Sequence, residues 1–188
     1  MFFGGLSDVE YWVTVTDHEV GRTRRYHNRP GTVCGRADAA AFPLSPALSA
    51  PAGFGLDGPL SPGPMSRPLA AAATGLCAGD DESLCLGDGR FLVSARWHNP
   101  RNGRSGDAGA VTADGESGYF WFFDPDNLEL AVKVIDGRQS NGFFWVFFAA
   151  LSDVEYWIDV TDTGSGDHRQ FHNPPFTYCG QAHTRVFD

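Results

Sequence analysis

The sequence predicts an all-β fold, an antiparallel β-sandwich of immunoglobulin-like architecture with about seven strands. Hydrophobic residues alternate with polar or smaller ones over short segments, which is the period of a half-buried strand. Turn signals rich in Gly, Pro, Asn and Asp recur about every ten residues, as in sandwich domains. With 23 Gly and 12 Pro in 188 residues, long helices are not expected. An eight-stranded barrel is the alternative that this pattern leaves open.

The predicted strands follow one another in the C-terminal part of the chain. In DVEYWIDVTD, every second residue from Val154 to Val160 is expected to point inward. The segments GYFWFF and GFFWVFF are apolar on both faces, so they predict strands covered on both sides, with Trp121 and Trp145 in the core beside Trp97. The predicted strands are residues 90–97, 107–113, 118–123, 128–136, 142–148, 153–162 and 168–173.

A second feature is an internal repeat. A shift of 145 residues aligns residues 2–42 with residues 147–187 without a gap, and 22 of the 41 aligned positions are identical. The identities include the SDVEYW block, His27-Asn28 against His172-Asn173, and Cys34-Gly35 against Cys179-Gly180. The chain therefore contains the second half of one module and a complete copy of a related one.

This repeat divides the chain into three parts. Residues 1–42 form the truncated module, and residues 77–188 form the complete β-sandwich module. The segment 43–76 between them contains seven of the twelve Pro residues together with many Ala, Ser and Gly. Such a composition buries too little apolar surface to offset its ordering entropy, so it predicts an unstructured linker.

Charge and hydropathy exclude several classes of partner. The formal net charge is −9, which disfavours nucleic-acid binding because that function requires clustered Lys and Arg. No apolar run reaches the roughly 18–20 residues that span a bilayer. The first residues lack the basic start, apolar centre and cleavage site of a signal peptide, so the sequence predicts none in this chain.

The four cysteines favour disulfide bonds over a metal site. Cys34, Cys77, Cys85 and Cys179 include no CxxC pair, so zinc spacing is absent. Three pairings are open and the sequence does not choose among them. Free buried thiols are the alternative.

Two tryptophans are the candidate ligand-binding residues. Trp157 shares its strand face with Glu155, Asp159 and Thr161, the polar side, and Trp12 is its repeat equivalent. A tryptophan on a polar face either packs under a loop or a neighbouring module, or presents its ring to a ligand such as a sugar. Packing is the favoured interpretation.

Metal and catalytic chemistry receive little support. Asp124, Asp126, Asn127 and Glu129 place several oxygens in one short segment, which is a weak calcium candidate without the spacing of an EF-hand. The same DPDN segment is a good β-turn, which is the favoured interpretation. No nucleophile motif such as GxSxG occurs, so the prediction is a protein without enzymatic activity or cofactor.

Long aromatic blocks carry a resemblance to a known kind of module. LCLGDGRFLVSARW, SGYFWFFDPDNLELAVKVIDG and NGFFWVFFAALSDVEYWIDVTD with a closing HNPP resemble a β-rich repeat module of large secreted bacterial multidomain proteins. The resemblance covers residues 84–188 fully and 2–42 in part, where the LCL…GRF strand is missing. It implies an extracellular or otherwise extracytoplasmic module with no assigned activity, and we expect this chain to be a fragment of a longer secreted protein.

Function follows from this as an expectation. The leading prediction is a structural, spacer or adhesive module whose partners are neighbouring modules of the same chain or another protein. A carbohydrate-binding or other ligand-binding accessory module that uses exposed aromatics, with polysaccharide as the ligand, is the alternative. Residues 2–42 and 147–187 are also equivalent enough to compete for the same partner strands, which would allow a strand-exchanged oligomer.

Overall fold

The computed structural model describes residues 1–42 and 76–188. The predicted linker 43–76 lies outside these residues apart from Leu76. The strands of the half-module, residues 1–42, are β1 (Phe2–Phe3), β2 (Tyr11–Asp17), β3 (Arg22–Asn28) and β4 (Arg36–Ala37). Those of the complete module are β5 (Ser83–Leu86), β6 (Phe91–Asn99), β7 (Arg104–Asp107), β8 (Gly109–Thr112), β9 (Ser117–Trp121), β10 (Leu130–Asp136), β11 (Phe144–Ala150), β12 (Glu155–Asp162), β13 (His168–Asn173) and β14 (Gln181–Phe187), with one helical turn α1 (Arg138–Asn141) before β11.

Two antiparallel sheets form the complete module, so the predicted all-β sandwich is confirmed. One sheet, the meander sheet, has the order β14-β11-β10-β9-β8. The other, the hairpin sheet, has the order β13-β12-β6-β5, and β7 also pairs with β6. The module has ten strands rather than about seven. The three strands that the sequence did not predict are two four-residue strands, β5 and β7, and the largely polar β14.

The core lies between the inner faces of the two sheets. Strand β12 alternates strictly, with Tyr156, Ile158 and Val160 fully buried, as its sequence predicts. Rings from opposite sheets meet edge to face, with 4.8 Å between the centroids of Phe91 and Phe144. Burying each such side chain stabilises the fold by about 1.5–3 kcal/mol.

The outer face of the meander sheet corrects one expectation. Trp97 is buried as predicted, but Trp121 and Trp145 are half-buried on the outer face. Each indole covers a glycine, Gly109 and Gly137 respectively, whose missing side chain leaves room for the ring. Runs that are apolar on both faces therefore do not require protein cover on both faces here, because the outer rings lie flat over backbone.

The half-module adopts the same local pairing as its repeat equivalent. Phe2 lies opposite Ala37 as Phe147 lies opposite Ala182, and Tyr11 lies opposite Asn28 as Tyr156 lies opposite Asn173. Residues 1–42 contain no equivalents of β5–β10, and among the described residues β2 pairs with β3 alone. Accordingly β2 has no fully buried residue, whereas every second residue of β12 is buried.

All four cysteines form disulfides. Cys34 is bonded to Cys179, and Cys77 is bonded to Cys85. The second bond connects the start of the complete module to β5. The first joins equivalent cysteines of the two repeats, which are 145 residues apart in the sequence. No helix in the described residues is long and apolar enough to cross a membrane.

Candidate functional site

The candidate site is on the outer face of the hairpin sheet. Because side chains of a strand alternate between faces, Glu155, Trp157 and Asp159 of β12 point away from the core. The strand register places His172 of β13 on one side of Trp157 and Arg96 of β6 on the other. We call Arg96, His98, Glu155, Trp157 and His172 the Trp157 cluster.

Trp157 is held by both neighbouring strands. Its ring stacks on the His172 imidazole with centroids 5.1 Å apart and an angle of 14° between planes. The Arg96 guanidinium lies 5.3 Å from the ring centroid, a cation–π contact. The indole therefore packs against side chains from the two adjacent strands of its own sheet, rather than under a loop or a neighbouring module.

Glu155 links two histidines within the cluster. His172 Nε2 donates a hydrogen bond to Glu155 Oε1 at 2.9 Å, and His98 Nδ1 donates to Oε2 at 3.2 Å. The hydrogen bond from His172 is the main cause that lowers the pKa of Glu155 below its ordinary value, against a smaller opposing effect of burial. Both carboxylate oxygens are thus satisfied, and the charge is fixed in place beside the ring.

A second carboxylate on the same face is bonded in the same way. Asp159 Oδ1 accepts hydrogen bonds from His168 Nε2 at 2.9 Å and from Gln170 Nε2 at 2.8 Å. Histidines on β13 thus pair with carboxylates on β12 along this part of the sheet. These cross-strand pairs fix the register of the hairpin and orient the rings.

The half-module repeats part of this arrangement. Trp12 stacks on His27 with centroids 4.8 Å apart and 4° between planes, and His27 Nε2 donates to Glu10 at 2.8 Å. Because no strand of residues 1–42 or 76–188 lies beside β2 as β6 lies beside β12, Trp12 is 50% exposed. An arginine from β3, Arg25, lies 5.7 Å from the Trp12 ring centroid.

The weak calcium candidate is organised as a turn. Asp124 accepts hydrogen bonds from the backbone N–H of Asn127 at its carbonyl and of Asp126 at its carboxylate. Glu129 is buried, and its Oε1 accepts a hydrogen bond from Asn127 Nδ2 at 2.5 Å. Burial raises the pKa of Glu129, although hydrogen bonds from Ser152 and Asn127 act against that shift. No group of three or more His, Cys, Asp or Glu side chains in residues 1–42 and 76–188 is placed to hold a metal ion.

Sequence reasoning identified the tryptophans but not their partners. His98, Arg96 and His172 come from two strands that are far from each other in sequence, and only the register of the sheet brings them to Trp157. The period-two pattern of RFLVSARWHN does place Arg96 and His98 on the polar face of β6. The pattern does not show which strand lies beside β6 in the sheet.

No protein-family model, curated protein or solved structure matches this chain.

Proposed function

We propose that this chain is a non-catalytic extracytoplasmic repeat module with a structural, spacer or adhesive role. The observation that carries the proposal is the disulfide between Cys34 and Cys179, the equivalent cysteines of two copies of one module. Disulfides persist in oxidising compartments and are rare where thiols are kept reduced. A repeat that binds its own neighbour covalently is suited to load-bearing or spacing, since the contact does not depend on a ligand.

The Trp157 cluster supports the same role. Its ring has a neighbour from each adjoining strand, and both oxygens of Glu155 are bonded within the module. These contacts stabilise the sheet without an incoming molecule.

The compartment can be tested in the cells that produce the protein. Thiols would be blocked at the moment of lysis with an alkylating reagent, and the peptides would be analysed by mass spectrometry without reduction. We expect the peptides of Cys34 and Cys179 to be joined and those of Cys77 and Cys85 to be joined. Recovery of all four as alkylated free thiols from folded protein would refute an oxidising compartment.

A carbohydrate-binding role is the second candidate, and the exposed ring of Trp12 favours it. Aromatic rings on a sheet face can stack on sugars. The test is electrophoresis in gels that contain soluble polysaccharides, comparing the chain with a Trp12→Ala, Trp157→Ala double variant. Retardation that the double variant loses and Trp145→Ala, on the opposite sheet, retains would establish this role in place of the first.

A further inference from the structure

The contact between the two repeats has an internal two-fold symmetry. Gly35 N–H donates to the carbonyl of Tyr178 at 2.7 Å, and Gly180 N–H donates to the carbonyl of Val33 at 2.8 Å. A shift of 145 residues converts Gly35 into Gly180 and Val33 into Tyr178, so each hydrogen bond maps onto the other. Cys34 and Cys179 lie between these bonds as an antiparallel bridge, and their disulfide maps onto itself.

The two glycines explain why the backbones approach so closely. A Cβ on Gly35 would lie 3.0 Å from the carbonyl oxygens of Ala150 and of Phe3, which belongs to its own half-module, and 3.1 Å from that of Tyr178. A Cβ on Gly180 would lie 2.6 Å from the carbonyl oxygen of Phe148 in its own module and 2.9 Å from that of Val33. Each glycine therefore lies between the backbone of its own module and that of the other repeat, and a side chain at either position would force one of these backbones to move.

Such a contact is isologous, because the same surface is used on both sides. The contact is made by backbone hydrogen bonds, by a glycine that allows close approach and by a cysteine that forms the disulfide. The complete module contains all of these groups by itself. We infer that the surface around Cys179 and Gly180 is a self-complementary docking surface for a second copy of the complete module, and that within this chain the half-module caps it. The inference goes beyond the proposed role and does not depend on it.

In the joined pair, Gly180 N–H of each copy would donate to the Tyr178 carbonyl of the other, and the two Cys179 thiols would form one disulfide. That step releases two protons and two electrons. A low-molecular-weight disulfide such as oxidised glutathione accepts them and becomes two thiols.

A second complete module would bring equivalents of β5–β10, which the half-module lacks. Within the described residues, the two hydrogen bonds at Gly35 and Gly180 are the backbone hydrogen bonds that join the half-module to the complete module. In the complete module, β12 is the equivalent of β2. It pairs with β6 along its full length, from Glu155 opposite His98 to Asp162 opposite Phe91. The matching edge of β2 makes no backbone hydrogen bond to the complete module.

The test removes the cap in the full chain. The double variant Cys34→Ser, Gly35→Val loses the disulfide and places a branched side chain against the carbonyls of Ala150 and Tyr178, and against that of Phe3 in the half-module itself. Oxidised in a glutathione buffer, it is expected to form a covalent dimer through Cys179, whereas the unaltered chain stays monomeric. Gel filtration and non-reduced peptide mapping would measure this, and near-UV circular dichroism would show that the complete module remains folded.

A matched control separates docking from random oxidation of a free thiol. Ser105 is exposed on β7, so a chain with Cys34→Ser, Gly35→Val, Cys179→Ser and Ser105→Cys has one free thiol elsewhere. Two added hydrogen bonds should favour the Cys179 dimer over glutathione mixed disulfide by about tenfold relative to this control. Equal dimer fractions, or Cys179 bonded to Cys77 or Cys85, would overturn the docking surface. Dimers of the unaltered chain with Cys34 of one copy bonded to Cys179 of another would overturn the cap.

Discussion

Asp162 is a buried charge that is paired with the Arg90 guanidinium. Its side chain is 1% exposed, and its Oδ2 accepts hydrogen bonds from Arg90 Nε at 3.0 Å and Nη2 at 2.5 Å. Burial opposes its ionisation, but the hydrogen bonds from Arg90 and from the backbone N–H of Gly164 outweigh burial, so the pKa of Asp162 is lowered. Because Asp162 ends β12 and Arg90 precedes β6, the pair fixes the end of the hairpin sheet.

Arg90→Met should therefore destabilise the protein strongly. The substitution keeps an apolar stem of similar length but leaves the Asp162 carboxylate buried without its partner, which costs roughly 3 kcal/mol of unfolding free energy. Urea denaturation at neutral pH would measure the loss. Arg138→Met is the matched control, because both guanidinium groups lie over the Phe144 ring, at 4.4 and 4.5 Å, but the partner of Arg138, Asp136, is about half exposed. The control should lose less than about 1 kcal/mol, and equal losses would contradict the role of burial.

The same pair predicts a sensitivity to acid. The pKa of Asp162 lies below its unfolded value of about 3.9, so its contribution to stability is present above that pH and is lost as pH falls through the folded pKa. In the Arg90→Met chain the corresponding part of the acid transition should be smaller. Denaturation curves between about pH 2 and pH 5 would show this as a reduced slope. An unchanged slope would mean that other carboxylates dominate.

The contribution of Glu129 to stability changes with pH in the opposite direction to that of Asp162. Burial raises its pKa, so it favours the folded state at pH below its unfolded value of about 4.3, and this contribution is lost as pH rises through the folded pKa. Glu129→Gln removes the charge and keeps an oxygen that can accept from Asn127. We therefore expect the difference in unfolding free energy between the variant and the unaltered chain to be more favourable to the variant at pH 7 than at about pH 4. Parallel stability curves for the two proteins would contradict the expected burial effect.

At the scale of single elements, the Trp121 ring of β9 packs directly over Gly109 of β8. Gly109 lies opposite Trp121, and a Cβ there would overlap the indole. Gly109→Ala should thus displace Trp121 and cost roughly 1–3 kcal/mol. Gly115→Ala is the control, since the nearest atom to its Cβ is 4.0 Å away, and it should stay within about 0.5 kcal/mol. Urea denaturation followed by tryptophan fluorescence would measure both variants.

At the scale of the whole molecule, the two repeats differ in how they are stabilised. The complete module has a continuous core between two sheets, whereas the half-module has two-stranded sheets and buries Phe3, Asn28 and Ala41. Two-stranded hairpins are marginal alone, so the half-module depends on its disulfide and on contact with the complete module.

Cys34→Ser should therefore have a local effect. Without the covalent bond, residues 1–42 should become accessible to protease while a fragment close to residues 84–188 resists digestion. Limited proteolysis with mass spectrometry of the resistant fragments would measure this on both chains. Protection of residues 1–42 in the variant equal to that in the unaltered chain would show that non-covalent contacts suffice.

The sequence alone determined the class of fold and the equivalence of the repeats. Alternation in DVEYWIDVTD identified the buried residues of β12, since a period of two is a local property of a strand. It also placed Trp157 with Glu155 and Asp159 on the outer face. The polar β14 and the four-residue strands β5 and β7 were missed, because their pairing depends on neighbours rather than on their own pattern.

Only the tertiary structure determined which residues from different parts of the chain are in contact. Of three open cysteine pairings, the fold selected Cys34 with Cys179 and Cys77 with Cys85. Glu155 lies between His98 and His172 because β12 is central in its sheet, and Trp145 faces outward because the register of β11 sends Phe144 and Val146 to the core. Local patterns specify which face a side chain takes, but strand order and register are set by contacts between residues distant in sequence.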